Sequence, residues 1–353
     1  MAQLVDLRSY QQGGNGGAKV LQVMGQLVEH TANLIQASVG EEKKKHQFRL
    51  TQFRKAISTL KGCSQEITSG RQARELPGIG KGIGDRIDEI LRTGTLAELN
   101  VEKPVDETTR IINELTTVTG IGEANAKKFV EMGVKGVDDL RTKVATGSVR
   151  LTHHMQIGLK YYNDFQQKIP YAEVAEIGMS LKQCVAHIYP QIKVEICGSH
   201  RRQKPLSGDI DILMTVPQLV TEDDLIRAKI PYLKEIVKVL KGHGVIVDDL
   251  TTQGDTKYMG VCIHPLTKVG RRIDIRLVTY DSFYPALLYF TGSMMLNKLM
   301  RTVAIEKHYT LNEYGLFKTV ANSKEEKILV FSEKDIFDRL GLVYLTPPER
   351  EIN

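Results

Sequence analysis

The chain has 353 residues, 41% of them apolar and 25% charged, and carries a net charge of +6. That length allows a real core and two or three domains, and no apolar run approaches the ~20 uninterrupted residues that a bilayer crossing needs, so no membrane partner is expected. Four scattered cysteines, Cys63, Cys184, Cys197 and Cys262, form no C-x-x-C pair, which argues against a zinc ribbon or disulfide framework and for a reducing, intracellular home.

The opening MAQLVDLRSYQQGGNGG lacks the basic and apolar regions of a secretion signal and reads as a flexible tail over residues 1–20. Leu21, Met24, Val28 and Ile35, then Leu50, Phe53, Ile57 and Leu60, recur at helical spacing and predict two amphipathic helices. Between Glu41 and Arg92 stand twelve Lys/Arg against seven Asp/Glu. A polyanion partner for this segment competes with the plainer reading of a solvated helix face. An internal repeat decides between them. LPGIGKGIGDRI (76–87) and VTGIGEANAKKF (118–129) superpose as apolar-x-Gly-Ile-Gly-x-x-x-small-x-x-apolar. Neither copy has the spacing of a dinucleotide fingerprint, and Gly80-Lys81 is followed by Gly82, which excludes a Walker loop. The pattern resembles the helix-hairpin-helix motif, in which a Gly-apolar-Gly turn brings backbone N–H groups up to a nucleic-acid phosphate. Each copy is followed by basic residues, Lys81 and Arg86 in the first, Lys127 and Lys128 in the second. Binding through phosphates is blind to base sequence.

From about residue 190 the texture changes to strands: VEICGS, DIDILMTV, TKYMGVCIH and RRIDIRLVTY, with helical stretches between. Side chains two apart in a strand share a face. Asp209 and Asp211 therefore point together, as do Arg272, Asp274 and Arg276, while Ile210, Ile212, Ile273 and Ile275 point to a core. Three carboxylates share one surface if these strands are neighbours. The alternative is an ordinary half-buried sheet with polar teeth. Against that stands the Gly-Ser turn at Gly198-Ser199, with nine residues between Ser199 and Asp209. Gly-Ser, acid-apolar-acid and a third acid downstream resemble the nucleotidyltransferase signature. Nucleotidyl transfer uses two hard divalent cations about 4 Å apart, one at the attacking 3′-hydroxyl and one at the triphosphate, and oxygen ligands suit Mg²⁺.

From about Phe48 onward the chain resembles, more closely, the family X DNA polymerases of the DNA polymerase beta type. The resemblance is carried by RKAIS, SGRQARELPGIG, RIDEIL, TGIGEANAKKFV, LTHHMQIGLKYY, CGSHRRQKPLSGDIDIL, TKYMGVC, RRIDIRL, LYFTGS, NEYGLF and SEKDIFD, in order over about 300 residues. It implies a multidomain α+β fold: helical N-terminal domains with two helix-hairpin-helix motifs, a nucleotidyltransferase-type palm of mixed β-sheet with helices, and a small α/β C-terminal subdomain. The expected boundaries are a gap- and 5′-phosphate-binding domain at 21–102, a duplex-binding subdomain at 103–173, the palm at 174–280 and a nascent-base-pair-binding subdomain at 281–353.

Carried over by position, the resemblance makes Asp209 and Asp211 the acids shared by both metals and Asp274 the primer-side acid. Ser199, Arg202 and Gly208 become the triphosphate contacts. Tyr289, Phe290, Gly292 and Asn297 border the incoming nucleotide, and Lys298 and Arg301 the template. Gly78, Gly80, Lys81, Arg86, Gly120, Gly122, Lys257 and Arg272 are the further DNA contacts. Backbone carbonyls of Leu76, Ile79, Thr116, Val118 and Ile121 are implied sites for a monovalent cation, Na⁺ or K⁺. The implied cofactors are two Mg²⁺, with Mn²⁺ as substitute. The implied partners are gapped or primer-template DNA and deoxynucleoside triphosphates, for a monomer of intracellular location, nuclear if the source is eukaryotic. His153 and His154 match a connector pair and are read as helix surface, not as metal ligands.

Departures matter as much. Met294 stands where the beta type has an acid, and Tyr171 where it has an arginine near the triphosphate. Arg86 stands where it has the lysine that forms a Schiff base with a 5′-deoxyribose phosphate, and Gly82 replaces a second lysine, leaving Lys81, Lys61 or Lys55 as more distant amines. The expected activity is template-directed short-gap filling in base excision repair, with doubtful lyase activity. A template-independent terminal transferase is the alternative, disfavoured by the short Pro265–Val269 linker, and a non-catalytic DNA-binding scaffold is disfavoured by the intact acids. Arg276 is expected to pair with Asp211 and to transfer to Glu313 when the C-terminal subdomain closes.

Overall fold

The computed structural model describes residues 4–7, 18–61, 63, 67–100, 106–252, 254–320 and 324–351. The chain divides into two compact units, residues 8–155 and residues 1–7 together with 156–353. Among the described residues no helix is long and apolar enough to cross a membrane.

The first unit is helical. Ala18–Gln36 and Gly40–Lys61 are the two amphipathic helices expected from spacing, and with Lys81–Thr93 they bury Val23, Met24, Leu27, Phe53, Leu60, Ile87 and Ile90 in one core. Both repeat copies make the same turn. Gly78 and Gly120 have φ of +80 and +91, a region that side chains other than glycine rarely enter. Gly80 and Gly122 then open the helices Lys81–Thr93 and Glu123–Glu131. Ile79 N–H donates to the Leu76 carbonyl at 3.2 Å, and Ile121 N–H to the Val118 carbonyl at 3.0 Å. The isoleucine of each turn is buried beneath exposed glycines.

The second unit is built on a five-stranded sheet of order β2-β4-β7-β6-β5. A two-residue strand β1, Ile169–Pro170, precedes β2, Lys193–Ile196; a second short one, β3, Leu206–Ser207, precedes β4, Ile210–Thr215. Then come β5, Ile246–Asp249, β6, Lys257–Ile263, and β7, Gly270–Val278. β4 and β7 run parallel, and the other pairs of this sheet are antiparallel. Ile210, Ile212, Met214, Ile273 and Ile275 face the helices Tyr171–Ile188 and Tyr232–Gly242. The opposite face carries Leu213, packed on Phe283, Ala286 and Leu287 of the helix Phe283–Thr291. A small sheet of β8, Tyr309–Asn312, β9, Gly315–Val320, and β10, Lys324–Ile328, follows the helix Met294–Glu306. The multidomain α+β class expected from sequence is the one observed.

Two observations bear on the expected boundaries. Residues 4–7 of the expected tail are structured: Val5 bridges Leu342, donating to the Gly341 carbonyl at 3.0 Å, and Leu7 is fully buried. Residues 1–3 and 8–17 lie outside the described residues. The second compact unit begins at Gln156, ahead of the palm start expected at 174, and Ile157, Tyr161 and Phe165 pack with Leu250, Val261 and Met259 beside the sheet.

Candidate active site

Parallel pairing of β4 with β7 sets Asp211 directly opposite Asp274. Asp209 sits one residue before β4, and the alternation expected from sequence holds, with Arg272, Asp274 and Arg276 part-exposed between buried neighbours. Burial, then the adjacent Asp209 and Asp274 charges, push the Asp211 carboxyl up to about 7. Burial likewise raises Asp274, with Arg272 opposing and Asp209 adding to the rise. Three like charges on one partly dry surface repel each other, and this is the situation a cation relieves.

The guanidinium hydrogen-bonded to this cluster is Arg272, whose Nη2 donates to Asp209 Oδ2 at 2.8 Å, while Arg202 acts on Asp211 and Arg276 on Asp274 through space. This corrects the expected pairing of Arg276 with Asp211. The Arg276 guanidinium lies over the Phe290 ring, 5.6 Å from its centroid, and Glu313 is met by Arg301 at 3.8 Å. Among the described residues no three His, Cys, Asp or Glu groups are already drawn to metal-ligand spacing. The donor set nevertheless fits hard divalent cations: all oxygens, with Asp274 Oδ1 buried and without a hydrogen-bond partner among the described residues.

Gly198 was not singled out from sequence, although the Gly-Ser turn contained the signal. Its φ is +59, and a Cβ there would overlap the Asp211 carboxylate. Only glycine lets this turn lie against the acid. The turn feeds the short helix Gly198–Arg201 and Arg202. Ser199 Oγ donates to Ser207 Oγ at 2.9 Å, and Arg202 Nη1 to the Thr291 carbonyl at 2.6 Å.

A cleft of about 650 Å³ opens beside these residues, lined by Ser199, Arg202, Asp209, Asp211, Tyr289, Phe290, Gly292, Asn297, Lys298 and Arg301. It brings together most of the expected nucleotide and template contacts. Asn297 Nδ2 donates to the Tyr289 carbonyl at 2.8 Å, which fixes the amide's orientation, and Arg301 covers the Tyr289 ring at 5.0 Å. Met294, at the mouth, is 87% exposed. Gly208 lies between β3 and β4, and a Cβ there would be 3.7 Å from Lys168 Nζ, a cation the sequence reading passed over. Tyr171 stacks on His200 at 4.1 Å instead. Lys257 Nζ meets the Tyr314 hydroxyl at 3.3 Å. The linker between β6 and β7 spans only residues 264–269.

The helical unit carries the other predicted contacts. Gly78, Gly80, Lys81, Gly120 and Gly122 are exposed at the two turns. Leu76 and Val118 carbonyls each accept one turn hydrogen bond, and a carbonyl retains a second lone pair. The His154 ring packs under Gly120, 3.1 Å from the position of a Cβ, so it supports the turn rather than lying on open helix surface; His153 is exposed. Arg86 is already engaged: its Nη2 donates to Glu98 at 3.0 Å, and Arg49 donates to the same carboxylate at 2.7 Å. Both guanidinium groups lie over Phe53, at 5.2 and 5.6 Å. Burial acts to raise the Glu98 carboxyl, but Arg86 and Arg49 prevail and hold it below its usual value. The Lys55 stem packs on the Gly78 turn.

Four family models match in succession: "Helix-hairpin-helix domain" over residues 21–96, "Fingers domain of DNA polymerase lambda" over 113–166, "DNA polymerase beta palm" over 168–280 and "DNA polymerase beta thumb" over 286–351. Similar proteins include DNA polymerase lambda of Rattus norvegicus, 31% identical over 86% of this chain and 53% of that protein. DNA polymerase lambda of Arabidopsis thaliana is 31% identical over 94% of this chain and 62% of its own length. DNA nucleotidylexotransferase of Gallus gallus is 26% identical over 88% of this chain and 64% of its length. The chain thus spans less than two thirds of each of these relatives. With paired acids on parallel strands, two glycine turns of one design and four matched segments in the same order, the chain belongs to the family X DNA polymerases of the beta and lambda type.

Proposed function

We propose that the protein is a template-directed DNA polymerase that fills short gaps during DNA repair, adding nucleotides to a primer 3′-hydroxyl by two-metal transfer. The observation that carries this reading is the pairing of Asp211 with Asp274 across β4 and β7, with Asp209 and Asp211 lining a nucleotide-sized cleft.

Asp209, Asp211 and Asp274 would hold the two divalent cations, Mg²⁺ or Mn²⁺, which when bound polarise the primer hydroxyl and neutralise the triphosphate. Asp274 Oδ1, buried and without a hydrogen-bond partner among the described residues, would serve the primer side, where the hydroxyl proton leaves. Arg202 presents a guanidinium fork and Ser199 a hydroxyl to phosphate oxygens. Asn297, fixed by Tyr289, offers a hydrogen bond at the base edge. The two glycine turns grip backbone phosphates on either side of a gap, with a monovalent cation on the Leu76, Ile79, Thr116, Val118 and Ile121 carbonyls. The short residue 264–269 linker favours templated synthesis over terminal transfer.

The 5′-deoxyribose phosphate lyase step is weak or absent in this reading. A guanidinium stays protonated and cannot attack as an amine, and Arg86 is in addition neutralised by Glu98. Primer extension with Mg²⁺ on one-nucleotide-gapped DNA, with and without template and with a 5′-phosphate or 5′-deoxyribose phosphate, tests the whole proposal. Insertion that ignores the template base would overturn it. Strong borohydride trapping on the deoxyribose phosphate substrate would overturn the lyase part, and its loss in Lys81→Ala would identify the amine responsible.

A further inference from the structure

Arg202, the cation assigned above to the incoming triphosphate, has an anionic partner in the structure. Its Nε donates to Glu351 Oε2 at 2.7 Å, and the other carboxylate oxygen of Glu351 lies 3.4 Å from Lys204 Nζ. One carboxylate therefore bridges two cations of the loop that follows the Gly-Ser turn.

Glu351 is not a stray side chain. It directly follows Arg350, which is fully buried, donates to Glu333 at 2.6 Å and to the Leu345 carbonyl at 2.9 Å, and whose own carbonyl accepts from Ser293 N at 3.4 Å. Glu333 in turn accepts two hydrogen bonds from Arg201, the residue before Arg202. The segment bearing Glu351 is thus pinned beside the phosphate loop by a buried ion-pair network. The carboxylate itself is 29% exposed and within reach of water.

We propose that Glu351 is an internal competitor for the triphosphate site, a carboxylate that takes the place of phosphate oxygens on Arg202 and Lys204 until a nucleotide displaces it. The proposal rests on the reading of Arg202 as a triphosphate ligand. A guanidinium edge paired with a carboxylate cannot offer the same N–H to phosphate, and a fixed negative charge beside the loop repels a polyanion. Displacement leaves Glu351 free to be solvated, so the cost of exchange is small but real. Glu351 acts on nucleotide through Arg202 and Lys204 and is a positioning residue. Its effect falls on nucleotide affinity.

The test uses inorganic tripolyphosphate as probe, with the whole chain and without DNA. In Glu351→Gln, which keeps the size of the side chain and removes its charge, the tripolyphosphate Kd measured by calorimetry should fall roughly 1.5- to fivefold, the range expected for loss of one partly exposed ion pair. KM for deoxynucleoside triphosphate on gapped DNA should fall in parallel. Glu351→Ala repeats the measurement with the side chain removed. An unchanged or raised Kd in both variants overturns the proposal, since it would make Glu351 an orienting partner of Arg202 or a bystander. Tripolyphosphate binding requires no turnover. A protein that extends no primer yet binds the probe more tightly as Glu351→Gln would sink the polymerase reading and sustain this one.

Discussion

Arg272 and Asp209 form an ion pair, Nη2 to Oδ2 at 2.8 Å, between the central strand β7 and the residue that leads into its neighbour β4. One of three clustered acids thus carries a hydrogen-bonded guanidinium, while Asp274 Oδ1 is buried without a hydrogen-bond partner among the described residues. An incoming cation has to compete with Arg272 for Asp209. Arg272→Ala should therefore lower the Mg²⁺ concentration that half-saturates insertion, even if weaker DNA contact lowers the maximal rate. Arg276→Ala, whose guanidinium covers Phe290 and reaches Asp274 only through space, should shift that midpoint less. Mg²⁺ titrations of single-nucleotide insertion separate the two. A shifted midpoint in Arg276→Ala alone would contradict the observed pairing.

Asp274→Ala should reduce insertion by at least on the order of a thousandfold, because the group removed acts only at the reacting hydroxyl. Affinity for gapped DNA should hold or improve, since a negative charge has left a phosphate channel. Fluorescence anisotropy and single-turnover insertion on the same preparation measure both. Normal insertion would remove Asp274 from the chemistry.

The two glycine turns separate folding from binding. Nothing lies within 4 Å of a Cβ built on Gly80 or Gly122, whereas Gly120 combines a φ of +91 with the His154 ring at 3.1 Å. Gly80→Val and Gly122→Val should keep the fold at a cost of about 1 kcal/mol for a poorer helix start. They should still weaken binding to every DNA sequence by a similar factor, because the new side chain meets only the incoming phosphate. Gly120→Val should lose thermal stability outright. Melting curves paired with binding isotherms on two unrelated sequences check this, and a sequence-selective loss would argue against phosphate contact. Wild-type affinity should fall steeply with salt as counterions are released.

Glu333 links Arg201 to Arg350 in the interior. Burial acts to raise its carboxyl, but hydrogen bonds from Arg201 and Arg350 prevail and hold it below the usual 4.5. A depressed folded-state value means stabilisation present above pH 4.5 and lost as pH falls through the lower folded value. Glu333→Gln, which leaves two guanidinium groups facing a neutral amide, should cost about 3 kcal/mol at pH 7. The gap in melting temperature between wild type and variant should narrow as pH drops below 4.5. A constant gap between pH 7 and pH 4 would show that the charge is not what stabilises.

What was legible in the sequence follows a physical rule. Alternation in a strand has a period of two, so SGDIDI and RRIDIR fixed which side chains share a face, and the repeated Gly-Ile-Gly fixed two turns of one shape. Pairings that depend on side-chain reach were not legible. Arg272 and Arg276 occupy the same face of β7, and only the structure distinguishes the one that meets an acid. Glu98, six residues past the basic segment that ends at Arg92, had no local sign that Arg86 and Arg49 would converge on it. β5, with the sequence IVDD, is too short and too acidic to announce itself as an edge strand. Leu7 stands next to a glycine-rich run, and nothing local reveals that residues 4–7 lie against Leu342 near the other end of the chain.

The parallel pairing of β4 with β7 has a consequence during synthesis. Antiparallel neighbours can close through a local turn, but parallel ones need a crossover, and here about sixty residues separate Asp211 from its opposite number. At roughly 5–20 residues per second, a ribosome delivers Asp209 and Asp211 several seconds ahead of Asp274. The acidic cluster therefore has no existence in the nascent chain until β7 has emerged and docked beside β4. A partly made or truncated palm holds two acids on an unpaired strand edge and no site for a cation pair, so the capacity for chemistry appears only with the completed sheet.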